Sequence, residues 1–285
     1  MSWKNVKSFL IVLLVLVNIA LCAFAYKYFI ASRFTDSGTA AMASSLLEKS
    51  GIVITADKLA VKNDSADVLF CEYDRENYLA FVCSLLFLKE ADGIYLLPSG
   101  IRAETLEGDM LLLGYDMSID YTNAALKDEI TLALQNAAPM ATEEAKTARQ
   151  SLESLIALPE NSLANAKCTA FGQYTFITAN QFENSLLLYD MTCVFGLKDG
   201  KIVYAFGKHF FGVPEGKESA QLLDRVNIMF SEKQRGKTGT VKDISLCYTL
   251  YEDSQNDRML FVPSYKITYT DNTQNTVNAL SKEIY

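Results

Sequence analysis

The longest uninterrupted apolar run of the chain is SFLIVLLVLVNIALCAFAY, from Ser8 to Tyr26. No charged residue lies between Lys7 and Lys27, and about 19 apolar residues are enough to cross the hydrocarbon core of a membrane as one helix. The run is longer than the apolar core of a typical secretory signal, which favours an uncleaved anchor. The alternative is a secretory signal that is cleaved at the small-x-small sequence Ala23-Phe24-Ala25.

The predicted span has one polar residue near its middle, Asn18. Inside a bilayer an amide gains by hydrogen bonding to a neighbouring helix, so Asn18 is the candidate partner-binding residue of the span. The alternative is a polar residue that the span merely tolerates. The seven residues before the span are short enough to stay in the cytoplasm, which places the C-terminal domain outside the cell membrane.

The segment from residue 34 to residue 140 alternates between helical and strand periodicity, and we expect an α+β unit there. Its predicted elements are a helix at Ala40–Lys49, strands at Ile52–Ile54 and Val68–Tyr73, a buried helix at Tyr78–Leu88, and a hairpin over Thr105–Met117 around Gly108-Asp109.

Residues 141–285 predict a second α+β unit. The strongest signal is CVFGLKDGKIVYAFG, two apolar runs around Asp199-Gly200, a pair suited to a type I′ hairpin turn. The other predicted elements are a helix over Thr142–Leu158 that Pro159 ends, a helix that Pro214 opens, and three strands, in which Pro263 should occupy a strand start or an edge. A helix followed by an antiparallel sheet therefore occurs twice.

Taken together, the patterns predict an α+β fold class: one N-terminal transmembrane helix, then an extracytoplasmic ectodomain of repeated helix plus antiparallel-sheet units. The predicted divisions are 1–33 for the tail and anchor, 34–140 for the first α+β unit and 141–285 for the second.

Charge narrows the range of partners. Four of the 26 Lys and Arg residues lie in residues 1–33, which leaves 22 basic against 34 acidic residues in the rest, a balance of −12. That acidity argues against nucleic acid as a partner. The contact with lipid is expected only through residues 8–26.

Candidate chemistry is sparse. His209 is the only histidine, so a two-histidine metal site is impossible, and no G-x-S-x-G accompanies it. We interpret His209 as structural or solvent-facing. Gly236–Thr238 is a fragment of a phosphate loop without its first glycine, and we interpret it as a connector. The acidic pairs Glu143-Glu144 and Glu252-Asp253 lack a calcium-ligand series, and we interpret them as solvated charge.

The six cysteines show no C-x-x-C spacing, and the five outside the span are predicted to be buried free thiols. We expect no catalytic, cofactor or metal site, although catalysis by two carboxylates alone stays open.

Three stretches together resemble the YycH/YycI family. They are the opening MSWKNVKSFLIVLLVLVNIAL, the hairpin LKDGKIVYAFG, and the end LFVPSYKITYTDNTQNTVNALSKEIY. The matching features are Trp3 and Lys4 in the short tail, Asn18 in the span, and the triplet Val277–Ala279 in the last strand. None of these residues is catalytic in the family.

The resemblance implies a non-catalytic, membrane-anchored regulator in a Gram-positive bacterium. Its partners would be a membrane-bound sensor histidine kinase of a cell-wall two-component system and possibly a sister regulator of the same family. The alternative function is an anchored extracytoplasmic domain that binds a small ligand, a peptide or a cell-wall polymer, with Tyr265 and Tyr269 lining its groove.

Overall fold

The structure is a computed structural model, and it describes Asn18 together with residues 37–61, 65–158, 163–253 and 256–280. Apart from Asn18, residues 37–61, 65–66, 220–245 and 265–280 form one compact unit, and residues 67–158, 163–219, 246–253 and 256–264 form a second. The remainder of the predicted anchor lies outside the described residues. The divisions at residues 33 and 140 stay predictions.

The helices within the described ranges alternate with strands along the chain. The α-helices are α1 (Ser37–Glu48), α2 (Ala56–Ala60), α3 (Arg75–Phe87), α4 (Lys127–Asn136), α5 (Thr142–Leu155) and α6 (Arg225–Gln234), with one 3₁₀ turn at Ala124–Leu126.

The strands are mostly antiparallel, which confirms the α+β class. In chain order they are β1 (Ile52–Val53), β2 (Ser65–Glu72), β3 (Gly93–Leu97), β4 (Gly100–Glu104), β5 (Met110–Gly114), β6 (Ser118–Thr122), β7 (Ala138–Pro139), β8 (Lys167–Phe171), β9 (Tyr174–Glu183), β10 (Leu186–Lys198), β11 (Lys201–Lys208), β12 (Gly216–Gln221), β13 (Gly239–Asp253), β14 (Arg258–Tyr269) and β15 (Gln274–Asn278).

The three helices of the first unit, α1, α2 and α6, contact one another, and α1 also contacts β1. Helix α1 buries Ala40, Ala43 and Leu47, which lie three or four residues apart and so share one helical face. This face contacts α2 and α6. β1 runs parallel to the start of β13, with Ile52 opposite Gly239.

The second unit is built on one long sheet. From one edge to the other, its strands follow the order β12-β2-β14-β13-β10-β11-β6-β5-β4-β3, and β9, β8 and β7 branch from β10. α3 and α5 contribute to a single apolar core with this sheet, in which Leu86, Leu152 and Phe195 are almost completely buried. β3 therefore forms one free edge of the sheet.

Most predicted elements are confirmed with shifted ends. Asp199 and Gly200 have φ values of 51° and 72°, the positive values that a type I′ turn requires, and they join β10 to β11 as predicted. α5 ends at Leu155 rather than at residue 158. The turn around Gly108 exists, but its first strand is β4, which ends before Thr105.

The helix predicted from Pro214 is wrong over its first half. Residues 216–221 form β12, and the helix begins only at Arg225. Asp224 explains the late start, because its carboxylate accepts a hydrogen bond from the Asn227 backbone N–H at 2.7 Å and so caps the helix there.

Pro263 does not lie at a strand start, because it falls within β14. The pairing of β14 with β2 ends at Phe261, so a proline two residues further on removes no hydrogen bond from that ladder.

Candidate partner-binding surface

The structure describes the predicted partner-binding residue Asn18 as helical and exposed. The residues on both sides of Asn18 lie outside the described part of the chain, so its role in the membrane stays a prediction. Among the helices that the structure describes, none combines the length and the apolar character that a membrane crossing requires.

A different surface stands out in the second unit, and α3 forms its wall. Asp74 caps α3 by accepting hydrogen bonds from the backbone N–H groups of Glu76 and Asn77, and Leu88 ends it in the left-handed conformation. α3 buries Leu79, Cys83 and other apolar residues against the sheet. Ala80, which precedes Cys83 by three residues and so shares its side of the helix, is exposed.

Strand β3 carries the exposed apolar residues of this surface. Ile94, Tyr95, Leu96 and Leu97 are 56%, 52%, 78% and 36% exposed. Side chains of a strand alternate between its faces, so Ile94 and Leu96 share the face toward α3, and Tyr95 and Leu97 take the other. Both faces of this edge strand are therefore apolar and accessible.

Between α3 and β3 lies an apolar groove of about 640 Å³. Leu79 and Cys83 of the helix and Ile101 of β4 are its buried lining, and Ile94 and Leu96 stand exposed beside them. The volume falls in the range of about 300–1,000 Å³ that small-molecule pockets occupy. We call the groove and strand β3 together the β3 surface.

An ion pair fixes one end of the β3 surface. Nη2 of Arg75 donates to both carboxylate oxygens of Glu252, at 2.6 and 2.8 Å. The guanidinium also stands 4.8 Å from the ring centroid of Tyr115, which lines the groove. The hydrogen bond to Glu252 raises the pKa of Arg75 above its usual value, which favours the charged form of the guanidinium.

The other basic groups near β3 are neutralised in the same way. Lys89 forms an ion pair with Glu107, which raises the pKa of Lys89 and lowers that of Glu107. Arg102 of β4 pairs with Glu104. The positive charge around the β3 surface is therefore already compensated from within the chain.

Two carboxylates of the groove lining differ from these pairs. Glu76 lies in the first turn of α3, and Glu90 lies just beyond its C-terminal end. Both are exposed, and neither forms an ion pair with any residue that the structure describes. The groove therefore presents negative charge near both ends of α3.

His209 is buried, so its structural interpretation is confirmed and the solvent-facing one is wrong. Its ring lies edge-on to Phe195 and Phe211, with centroid distances of 5.4 and 4.6 Å. Neither ring nitrogen has a hydrogen-bond partner among the residues that the structure describes, and burial lowers the pKa of the imidazole to about 4. A neutral imidazole without polar neighbours has no oriented proton acceptor or donor for acid–base catalysis.

The other sequence candidates lie apart from the β3 surface, with one exception. Glu143 and Glu144 are exposed in the first turn of α5, and residues 236–238 form an exposed connector after α6. Glu252 is the exception, since it pairs with Arg75 instead of standing as solvated charge. Within the described ranges, no three His, Cys, Asp or Glu side chains lie close enough to bind a metal ion.

The tyrosines expected to line a ligand groove belong to the core of the first unit. Tyr265 is completely buried and donates its hydroxyl proton to the carbonyl of Leu223 at 3.2 Å, and Tyr269 is 6% exposed. The five described cysteines are buried free thiols, as predicted.

Sequence reasoning missed the β3–β4 hairpin. Its signal is present in GIYLLPSGIR, two apolar segments around Pro98-Ser99. Four consecutive apolar residues show no alternation, however, and a short apolar run of this kind does not reveal its secondary structure.

Comparison with protein-family models and with curated proteins finds no match for this chain.

Proposed function

We propose that the chain is a non-catalytic, membrane-anchored regulatory protein that modulates a two-component sensor histidine kinase. Contacts would form at two levels, through Asn18 in the transmembrane helix and through the β3 surface in the ectodomain. The N-terminus would be cytoplasmic and the C-terminal domain extracytoplasmic.

The observation that carries this proposal is the exposure of Ile94–Leu97 on the free edge of the sheet. Monomeric soluble proteins rarely expose contiguous apolar patches without a function, and such patches mark sites of protein association or ligand binding. An unpaired apolar strand edge in particular is a template for pairing with another chain. This geometry favours binding over catalysis.

The identity of the partner comes from the resemblance to the YycH/YycI family, carried by the opening, the Asp199-Gly200 hairpin and the C-terminal segment. A regulator changes the activity of a kinase only when it binds one signalling state more tightly than the other. An anchored domain satisfies this condition when the span and the ectodomain both contact the same state. A sister regulator of the same family is a further expected partner.

In-cell crosslinking followed by mass spectrometry tests the proposal. Three forms would be compared: the intact chain, a chain whose residues 9–25 are replaced by an unrelated span, and Asn18→Leu. We expect the intact chain to capture a sensor histidine kinase, the replaced span to capture less, and Asn18→Leu to insert normally but pair more weakly. Absence of any histidine kinase from the crosslinks of the intact chain would refute the proposal.

The second candidate is an anchored domain that binds a small ligand, a peptide or a cell-wall polymer. The groove volume of about 640 Å³ and its apolar lining favour this candidate. Sedimentation of the full-length protein with purified peptidoglycan tests it. If the protein pellets with peptidoglycan, if Leu96→Lys abolishes this pelleting, and if crosslinking captures no kinase, the second candidate is favoured over the first.

A further inference from the structure

The two ends of the main strand order of the sheet, β12 and β3, are protected differently. Lys217 and Glu218 of β12 are exposed, and Lys217 pairs with Asp67 at 3.0 Å. Charged residues on an edge strand prevent another strand from adding to it. β3 has no charged residue and no proline between Gly93 and Leu97, so this edge lacks the protection that β12 has.

The free edge also offers backbone hydrogen-bonding groups. In an antiparallel pair, alternate residues bond to the neighbouring strand and the residues between them direct N–H and C=O away from it. β4 pairs with one side of β3 over Gly93–Leu97, and no described strand pairs with the other side. An added strand would satisfy those groups and bring every second side chain over the groove.

Charge and spacing restrict what that strand can be. A helix of 13 residues such as α3 is about 20 Å long. Glu76 in its first turn and Glu90 beyond its C-terminal end are therefore separated by about the length of the helix. A strand advances about 3.3 Å per residue, so residues six positions apart span the same length. Because six is an even number, the two strand residues that are six positions apart lie on the same face of the strand. The residues two and four positions after the first lie on that face as well, so all four can face the groove.

We propose that the β3 surface binds an extended segment of a partner protein by strand addition. The segment carries two basic side chains six residues apart, which pair with Glu76 and Glu90. Its aliphatic side chains stand two and four residues after the first basic residue and therefore share the face of both basic residues. This inference deepens the proposed function by naming the kind of segment that the partner supplies, and it rests on that function only for the partner's identity.

A second copy of the chain is a poorer occupant than a basic segment. β3 itself, GIYLL, has no basic residue to meet Glu76 and Glu90. The nearby Lys89 and Arg102 are already paired within the chain. Pairing of two β3 strands would leave the carboxylates of both copies uncompensated.

The test uses the full-length chain in detergent micelles and a fluorescein-labelled peptide, acetyl-KTVTVTK-amide, whose two valines share the face of both lysines. The control peptides are acetyl-ETVTVTE-amide, which reverses the charges, and acetyl-KTVPVTK-amide, whose proline disrupts the strand. Fluorescence anisotropy should show the basic peptide binding at least about tenfold more tightly than either control, as two favourable ion pairs and an intact ladder imply.

Matched variants locate the site. Leu96→Lys should abolish binding, while Leu106→Lys, which adds the same charge at an exposed loop leucine outside the groove, should leave it unchanged. Glu76→Gln with Glu90→Gln should remove the preference for the basic peptide. The same exchange at Glu143 and Glu144 on α5 should preserve it.

Equal binding of the three peptides, or no binding of the basic one, would overturn the inference. A dimer in light scattering without peptide, lost in Leu96→Lys, would overturn it in favour of a second copy. Kinase crosslinks that Leu96→Lys leaves unaltered would overturn it while the proposed function survives. Binding of the basic peptide with the expected variant effects would support it even if no kinase is captured.

Discussion

The imidazole of His209 lies edge-on to the ring of Phe211, with 4.6 Å between the ring centroids. The backbone N–H of His209 donates to the carbonyl of Met117 at 3.1 Å, but its imidazole has no hydrogen-bond partner within the described part of the chain. The second unit thus keeps a titratable ring inside an aromatic cluster.

This burial predicts a loss of stability in mild acid. Burial lowers the pKa of His209 from about 6.5 to about 4 in the folded chain, so the unfolded chain binds the proton first as the pH falls. The stability that the neutral ring contributes is complete above pH 6.5 and is lost between pH 6.5 and pH 4, roughly 3 kcal/mol in all. Urea unfolding across this range measures it.

His209→Phe is the control for that loss, since an aromatic ring of similar size removes the titration. The stability of the variant should fall less than that of the wild-type chain between pH 6.5 and pH 4. Parallel pH profiles of the two proteins would show that His209 is not the responsible group.

Asp74 should stabilise the wall of the groove. Asp74→Ala removes the carboxylate that accepts from the Glu76 and Asn77 backbone N–H groups and should lower the free energy of unfolding by about 1 kcal/mol. Asp74→Asn keeps a capping oxygen and should lose much less. An equal loss in both variants would assign the effect to charge instead of capping.

Gly100 is required by close packing at the β3–β4 hairpin. A Cβ at this position would lie 2.8 Å from the Cα of Gly114, so Gly100→Ala must displace β5 and should cost roughly 1–3 kcal/mol. Gly93→Ala is the matched control in the same hairpin, because the three atoms nearest to its Cβ would belong to the movable side chain of Tyr95. Equal decreases in the Tm of Gly100→Ala and Gly93→Ala would contradict this prediction.

The buried cysteines should react slowly with thiol reagents. Burial raises the pKa of Cys71 and Cys83 to about 11 and that of Cys193 to about 12, so little thiolate exists at mildly alkaline pH. In a Cys22→Ser background, we expect dithionitrobenzoate to label the native chain slowly and all five remaining cysteines in concentrated guanidinium chloride. Rapid native labelling would place a thiolate at the surface.

Local sequence signals predicted the elements that depend on local interactions. Asp199-Gly200 specifies its turn through backbone conformation alone, and the helical spacing of the α1 and α5 apolar residues is visible without the rest of the fold. β12 was missed because its polar sequence, GKESAQ, becomes a strand only through pairing with β2. That pairing joins segments about 150 residues apart in the chain, where periodicity carries no information.

The β3 surface was hidden for a related reason. The sequence contains Ile94–Leu97 but does not indicate that this strand forms an edge, since strand order is a property of the whole sheet. The sequence also does not indicate that Glu76 and Glu90 have no ion-pair partner among the described residues, because the pairs that neutralise Arg75, Lys89 and Arg102 are known only from the fold.

The composition of the first unit also dictates when it can fold during synthesis. α1 is among its earliest parts, yet the fully buried Tyr265 and Ile267 of the same unit come from β14, near the other end of the chain. At about 5–20 residues per second, the ribosome needs on the order of 10–40 s to make the intervening chain. For most of that interval α1 also lacks α6, which it contacts in the folded unit, so part of its apolar face stays uncovered on the nascent chain.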